Sequence, residues 1–292
     1  MLLSRLRRLR RPASAPVPPV PLPPGRVVLV PGRGEFFVRD SGGDGQPVLL
    51  VHGWMFPSDL NWAGTYAPLA RAGYRVLAMD LRGHGRGLRS GAPFRLADCA
   101  DDAAGVLGQL GLAPALVVGY SMGGPVAQLL ARRHPASVSG FVLCATALDW
   151  SDPAQRFFWR LMGVLRLLLG LFPRSAWLLG MRLAGSPARD SDWVASELSR
   201  GSARDLAEAG RELGRFDSGP WAAALPQPRA VLVMTRDRVV PPAKQRALAA
   251  RLDRDPVLLD ADHDACSTAT AAFVAALLSA LDTVAPQERR SA

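Results

Sequence analysis

The pentapeptide Gly119-Tyr120-Ser121-Met122-Gly123 stands at the end of the apolar run Ala115–Val118 and opens directly into a helical stretch, Gly124–Arg133. A G-x-S-x-G turn between strand and helix leaves few folds open. The serine sits in a strained turn, and only glycine two residues to either side lets strand and helix approach closely enough. Five further apolar runs read as strands: Val48–Val51, Tyr74–Met79, Val138–Cys144, Ala230–Met234 and Val257–Leu259. Helical stretches at Asp98–Leu110, Pro242–Leu252 and Ser267–Leu281 alternate with them. Most of the runs are apolar throughout rather than at every second residue, the pattern of strands covered on both faces. The expected fold class is therefore α/β, a mostly parallel, doubly wound sheet.

One segment breaks the rhythm. From about Asp149 to Leu225 there is no strand-like run, and Arg156–Phe172 is crowded with Phe, Trp, Met and Leu. A helix that is apolar on nearly every side is expected to be buried or to meet lipid or an apolar ligand. The arginines Arg156, Arg160 and Arg166 can snorkel from such a surface. The expected organisation is a basic, Pro-rich, disordered leader over 1–25, a core over 26–148 and 226–283, a helical insertion over 149–225, and a tail over 284–292. No transmembrane span is expected: the longest charge-free stretch, Ala103–Ala131, is broken by Pro114, Pro125 and several glycines.

The net charge of +10 is unevenly placed. Residues 1–39 carry eight Arg against one Glu, whereas the other 253 carry 27 basic and 24 acidic side chains. A near-neutral body with no basic stripe excludes nucleic acid as an expected partner. Leu2, Leu6 and Leu9 recur at helical spacing among arginines, so peripheral membrane contact through the leader or the apolar insertion stays open. Three widely separated cysteines, Cys99, Cys144 and Cys266, form no pairing pattern. They indicate a reducing, cytoplasmic setting and no metal site. No cofactor is expected, and the oligomeric state is open.

A serine needs a base within reach, held by a carboxylate, before it becomes a nucleophile. Of the four histidines, His134 ends the helix that follows the pentapeptide, and His52 and His84 lie in Gly-flanked loops. His263 follows the last strand, on the carboxyl-end rim where an open parallel sheet gathers its site, and is assigned as the base. Asp237, at the end of the preceding strand, is favoured as the orienting carboxylate, with Asp260, Asp262 and Asp264 as alternatives in the histidine's own loop.

With these residues in place, the chain from about residue 35 to 283 resembles the α/β-hydrolase family. Val51-His52-Gly53-Trp54 is similar to the family's oxyanion loop, which implies oxyanion donors at the Trp54 and Met122 amides. Asp80-Leu81-Arg82-Gly83-His84-Gly85 is similar to a structural turn of the family, which leaves His84 without a catalytic role. The resemblance also implies that the insertion is a cap, with Phe158, Trp159 and Met162 as its substrate-binding side chains. One departure is Asp262, where the family has Gly before its histidine. The activity implied is that of a serine hydrolase of carboxylesterase or lipase-like type, cleaving a lipophilic carboxylic ester through an acyl-enzyme on Ser121. Family dehalogenases and epoxide hydrolases carry Asp at the position of Ser121. Cofactor-free peroxidase or perhydrolase and carbon-carbon hydrolase activities are the alternatives, and a non-catalytic binding protein is the alternative from another class.

Overall fold

Burying β-branched and leucine side chains on both faces of a strand requires cover on both sides, and the structure provides it. The computed structural model describes residues 17–171, 175, 177–179 and 191–285, with only the backbone of 153, 154, 156, 158 and 191. In chain order, β1 (Gly25–Val30) and β2 (Gly34–Asp40) form a hairpin, followed by β3 (Gln46–Val51), α1 (Ser58–Trp62), α2 (Tyr66–Arg71) and β4 (Tyr74–Met79). Next come α3 (Leu96–Gln109), β5 (Ala115–Tyr120), α4 (Gly123–Arg133) and β6 (Val138–Cys144). The inserted helices α5 (Pro153–Arg160), α6 (Met162–Leu171), α7 (Ser191–Leu198) and α8 (Ala203–Leu213) precede β7 (Arg229–Met234). The chain closes with α9 (Pro242–Arg251), β8 (Val257–Leu259), α10 (Ala265–Thr268) and α11 (Thr270–Val284).

The eight strands form one sheet in the order β1-β2-β4-β3-β5-β6-β7-β8. The six from β4 to β8 are parallel; β1 and β2 join antiparallel at the edge. One face packs on α3, α4 and α9 through residues such as Val106, Leu130 and Leu248. The other packs on α1, α2 and α11 through Trp62, Leu69 and Phe273.

The β1–β2 hairpin places part of the basic charge counted over residues 1–39 in the core. Arg26, Arg33 and Arg39 are ion-paired parts of the core, at 2.7 Å from Asp40, Asp102 and Asp59 respectively. The strand Gly25–Val30 begins at the expected leader–core boundary, although Val27–Val30 was not among the runs read as strands.

An antiparallel bridge between Asp149 and Asp217 closes the base of the insertion. Several contacts tie the insertion to the core. The Ser202 N–H donates to Gly83 O at 2.8 Å, and the Phe94 N–H to Glu208 Oε2 at 2.8 Å. Arg86 donates to Asp59 at 3.1 Å and to Glu197 at 2.9 Å. Among the described residues no helix is long and apolar enough to cross a membrane. Residues 1–16 of the leader, Phe172, Met181, the Phe158 side chain and 286–292 of the tail lie outside the described residues.

Candidate active site

Strand β5 delivers Ser121 into a backbone conformation that a side chain other than glycine rarely adopts, with φ at +52°. Such a residue costs on the order of 1–3 kcal/mol and persists only when its surroundings enforce it. Here the Ser121 N–H donates to Cys144 O on β6, and the Gly124 N–H donates to Ser121 O, each at 2.9 Å. The flanking glycines are sterically required. A Cβ on Gly119 would lie 2.4 Å from Gly123 O, and one on Gly123 would lie 2.1 Å from Val51 O.

His263 Nδ1 lies 2.8 Å from Asp237 Oδ2, and its Nε2 lies 3.1 Å from Ser121 Oγ. The carboxylate can only accept, so Nδ1 carries the proton and the Nε2 lone pair faces the serine hydroxyl. The structure thus brings Ser121, Asp237 and His263 together. Asp237 also accepts from the Val239 and Val240 amides at 2.8 Å and from Gln245 Nε2 at 2.9 Å, and its side chain is fully buried. The three other aspartates face elsewhere. Asp260 pairs with Arg236 at 3.1 Å, and Asp264 Oδ1 accepts from the Thr268 hydroxyl. Asp262 Oδ1 accepts from the His263 N–H at 2.7 Å and the Arg238 N–H at 3.1 Å, so one oxygen joins the two loops that carry base and acid. The hydrogen bond from His263 N–H holds its carboxyl below the usual range.

Met122 directly precedes α4, whose first N–H groups have no acceptor within the helix. The Gly53-Trp54 loop passes against the serine: a Cβ on Gly53 would sit 3.3 Å from Ser121 Cβ. This loop is fixed on both sides. The Gly53 N–H donates to Asn61 Oδ1 at 2.8 Å, and Asn61 Nδ2 donates to Cys266 Sγ at 3.2 Å. Trp54 Nε1 donates to Leu206 O of α8 at 2.7 Å. His52 Nε2 accepts the Leu81 N–H at 2.9 Å while Nδ1 donates to Gly53 O at 2.8 Å, which sets a neutral ring beneath the loop. The His84 ring lies against His52, with centroids 5.1 Å apart and the planes tilted by 55°. His134 caps α4 and lies 2.7 Å from Asp101.

Above the serine is a cavity of about 450 Å³. Its walls include Trp54, Phe56, Trp150 and Trp159, and among the described residues Asp264 is the only acidic or basic one besides His263 along it. Trp159 therefore lies where the sequence placed it. Met162 does not: it is buried behind Trp159 against α8, because the chain turns at Leu161 between α5 and α6 and redirects the side chain toward Gly210. The sequence reading also passed over Asn61, Gln245 and Tyr120, whose hydroxyl donates to His263 O. Tyr120 lies within the pentapeptide and could have been noticed there; Asn61 and Gln245 carry no local signal.

A serine in such a turn, its base and a buried carboxylate, all on the carboxyl rim of a parallel sheet, invite comparison with known proteins. The profile of the alpha/beta hydrolase family matches residues 48–277. The chain belongs to the alpha/beta hydrolase family. This hydrolase is 41% identical over 110 residues to a non-heme haloperoxidase of Rhodococcus erythropolis, covering 37% of this chain and 39% of that protein. It is also 41% identical over 122 residues to epoxide hydrolase B of Mycobacterium tuberculosis, covering 40% of this chain and 34% of that one. The matches thus span little more than a third of each relative's length. Among solved structures, a thermophilic esterase from Thermogutta terrifontis superimposes with a TM-score of 0.74 at 25% identity, over 89% of this hydrolase and 99% of the esterase.

Proposed function

We propose that this alpha/beta hydrolase is a serine esterase for uncharged, lipophilic carboxylic esters. The observation that carries the reading is the continuous chain Ser121 Oγ, His263, Asp237 at the floor of a cavity walled by tryptophans. His263 Nε2 takes the hydroxyl proton as Ser121 attacks the ester carbonyl, and Asp237 stabilises the imidazolium that results. The oxyanion develops against the Trp54 and Met122 amides, each donor lowering the barrier by on the order of 3 kcal/mol. The alcohol leaves with the proton from His263, and water activated by the same ring then hydrolyses the acyl-enzyme. Among the described residues along the cavity no Lys or Arg offers a partner to an anionic substrate. The helices that supply Trp159 act as the cap.

An alkyl-enzyme ester of the kind that opens epoxides needs a carboxylate where this chain has Ser121, which argues against that activity here. The likeness to a haloperoxidase favours one second reading, in which hydrogen peroxide rather than water attacks the acyl-enzyme and releases a peracid. The test compares wild type with Ser121→Ala on p-nitrophenyl esters graded from acetate to laurate, with a fluorophosphonate probe and with added peroxide. The wild type labels with the probe and prefers the longer acyl chains, and the variant loses at least about 10³-fold in kcat. Undiminished activity in the variant, or an unlabelled wild type, removes the reading; peroxide-dependent oxidation moves it to the second.

A further inference from the structure

Helix α6 carries two apolar stripes. Met162 and Leu169 are buried and Leu165 half-buried where the helix packs on α8. Val164, Leu167, Leu168 and Leu171 recur at i, i+3, i+4 and i+7 on the other side and are 56, 59, 49 and 62% exposed. Phe157 and Leu161, in the turns just before, are 63 and 43% exposed. An apolar residue scattered singly on a surface needs no explanation, but a helical row of four does.

The row's own segment is basic: from Pro153 to Leu171 the sequence has Arg156, Arg160 and Arg166 and neither Asp nor Glu. On neighbouring α8, Glu212 lies 3.6 Å from Arg215. Arg160 and Arg166 are exposed within the same turns as the row. Arg160, Arg211 and Arg215 line a shallow depression beside Trp159.

We propose that this face of α6 adsorbs onto an anionic lipid bilayer. The leucine row enters the headgroup and acyl boundary while the arginine heads stay among the phosphates, whose paired oxygens match the guanidinium fork. The charge decides between a bilayer and a second copy of the chain. A two-fold contact through this face would set arginines against arginines, whereas an anionic leaflet neutralises them. Hydrolysis plays no part in the inference.

The test is co-sedimentation of the full chain with phosphatidylcholine vesicles and with vesicles containing phosphatidylglycerol, for wild type, Leu167→Glu/Leu168→Glu and Arg160→Ser/Arg166→Ser. Circular dichroism and sedimentation velocity are run on each. The wild type binds the anionic vesicles. The leucine variant, whose changed side chains are exposed, keeps its fold and binds at least about tenfold more weakly. The arginine variant loses about fivefold per charge at low salt, and less at high salt. Equal binding by all three proteins places adsorption elsewhere on the chain and overturns the proposal. So does a wild type that ignores anionic vesicles, or one that instead forms a dimer abolished by the leucine change.

Discussion

Asp237 accepts four hydrogen bonds, two at each oxygen, and is sealed from water, so its carboxylate has one orientation and His263 has one partner. Its place at a strand's end favoured Asp237 in the sequence but left Asp260, Asp262 and Asp264 open, because side-chain direction in a loop depends on the loop's own bonds. Ser121 and His263 were legible for a different reason. One is framed by glycines that a steric constraint demands, and the other is the histidine set on the rim after the last strand. The bond pattern gives Asp262 a positioning role, joining the backbone of His263 to that of Arg238. Asp262→Asn keeps an accepting oxygen in place and is expected to retain kcat within about twofold. Asp262→Gly removes it and is expected to lose about tenfold in kcat, with KM and melting temperature little changed. Steady-state assays of the two variants side by side check this; equal kcat in both shows that the bridge is dispensable.

At the scale of elements, the parallel strands were legible because each is a continuous apolar run. The helix read over Ser267–Leu281 is instead broken at Ala269. The Thr268 hydroxyl donates to Asp264 O and that of Thr270 to Cys266 O, competing for acceptors the helical ladder would use. Helix α6, expected to be buried or to meet lipid or an apolar ligand, is buried along one side, and no other described element packs over its outer stripe. Helix α8 shows how the cavity wall is held. Gly210 and Gly214 form a shelf on which Trp159 lies, and a Cβ on Gly214 would come within 2.4 Å of Trp159 Cδ1. Gly214→Val is therefore expected to displace that indole. The predicted result is a KM about tenfold higher for long-chain esters, while the acetate ester, too short to reach Trp159, is turned over as before. A uniform change across acyl lengths would show that Trp159 does not line the acyl site.

For the whole molecule, acid sensitivity follows from two histidines that the fold keeps neutral. Burial holds His52 down to about 4 and His84 down to about 3. Above pH ~6.5, the usual histidine value, both are neutral whether the chain is folded or not, and their contribution to stability is complete. As the pH falls below that value the unfolded chain binds protons that the folded one refuses, so stability declines toward the folded-state values. Denaturant midpoints measured from pH 7.5 down to 5, where ordinary carboxylates remain ionised, are expected to fall steadily. His84→Phe should flatten the decline; a midpoint independent of pH in the wild type would contradict it. No pattern in the sequence marks these rings as buried, because His-Gly turns occur equally on surfaces. Their burial rests on contacts within and to the β4–α3 connection, where His84 lies against Phe94 and His52 accepts from the Leu81 N–H.

Lys244 is the only lysine of the chain, and its ammonium group reaches back to Asp149 at 3.1 Å and Asp152 at 2.9 Å, where the insertion leaves the core. Amine chemistry therefore has a single internal address, and it lies at the junction of insertion and core. Acylating that nitrogen erases the charge that binds both aspartates, so a labelling reagent would both mark the junction and loosen it. A lysine-specific protease would find one bond, Lys244–Gln245, whose cleavage leaves Asp237 on one fragment and His263 on the other.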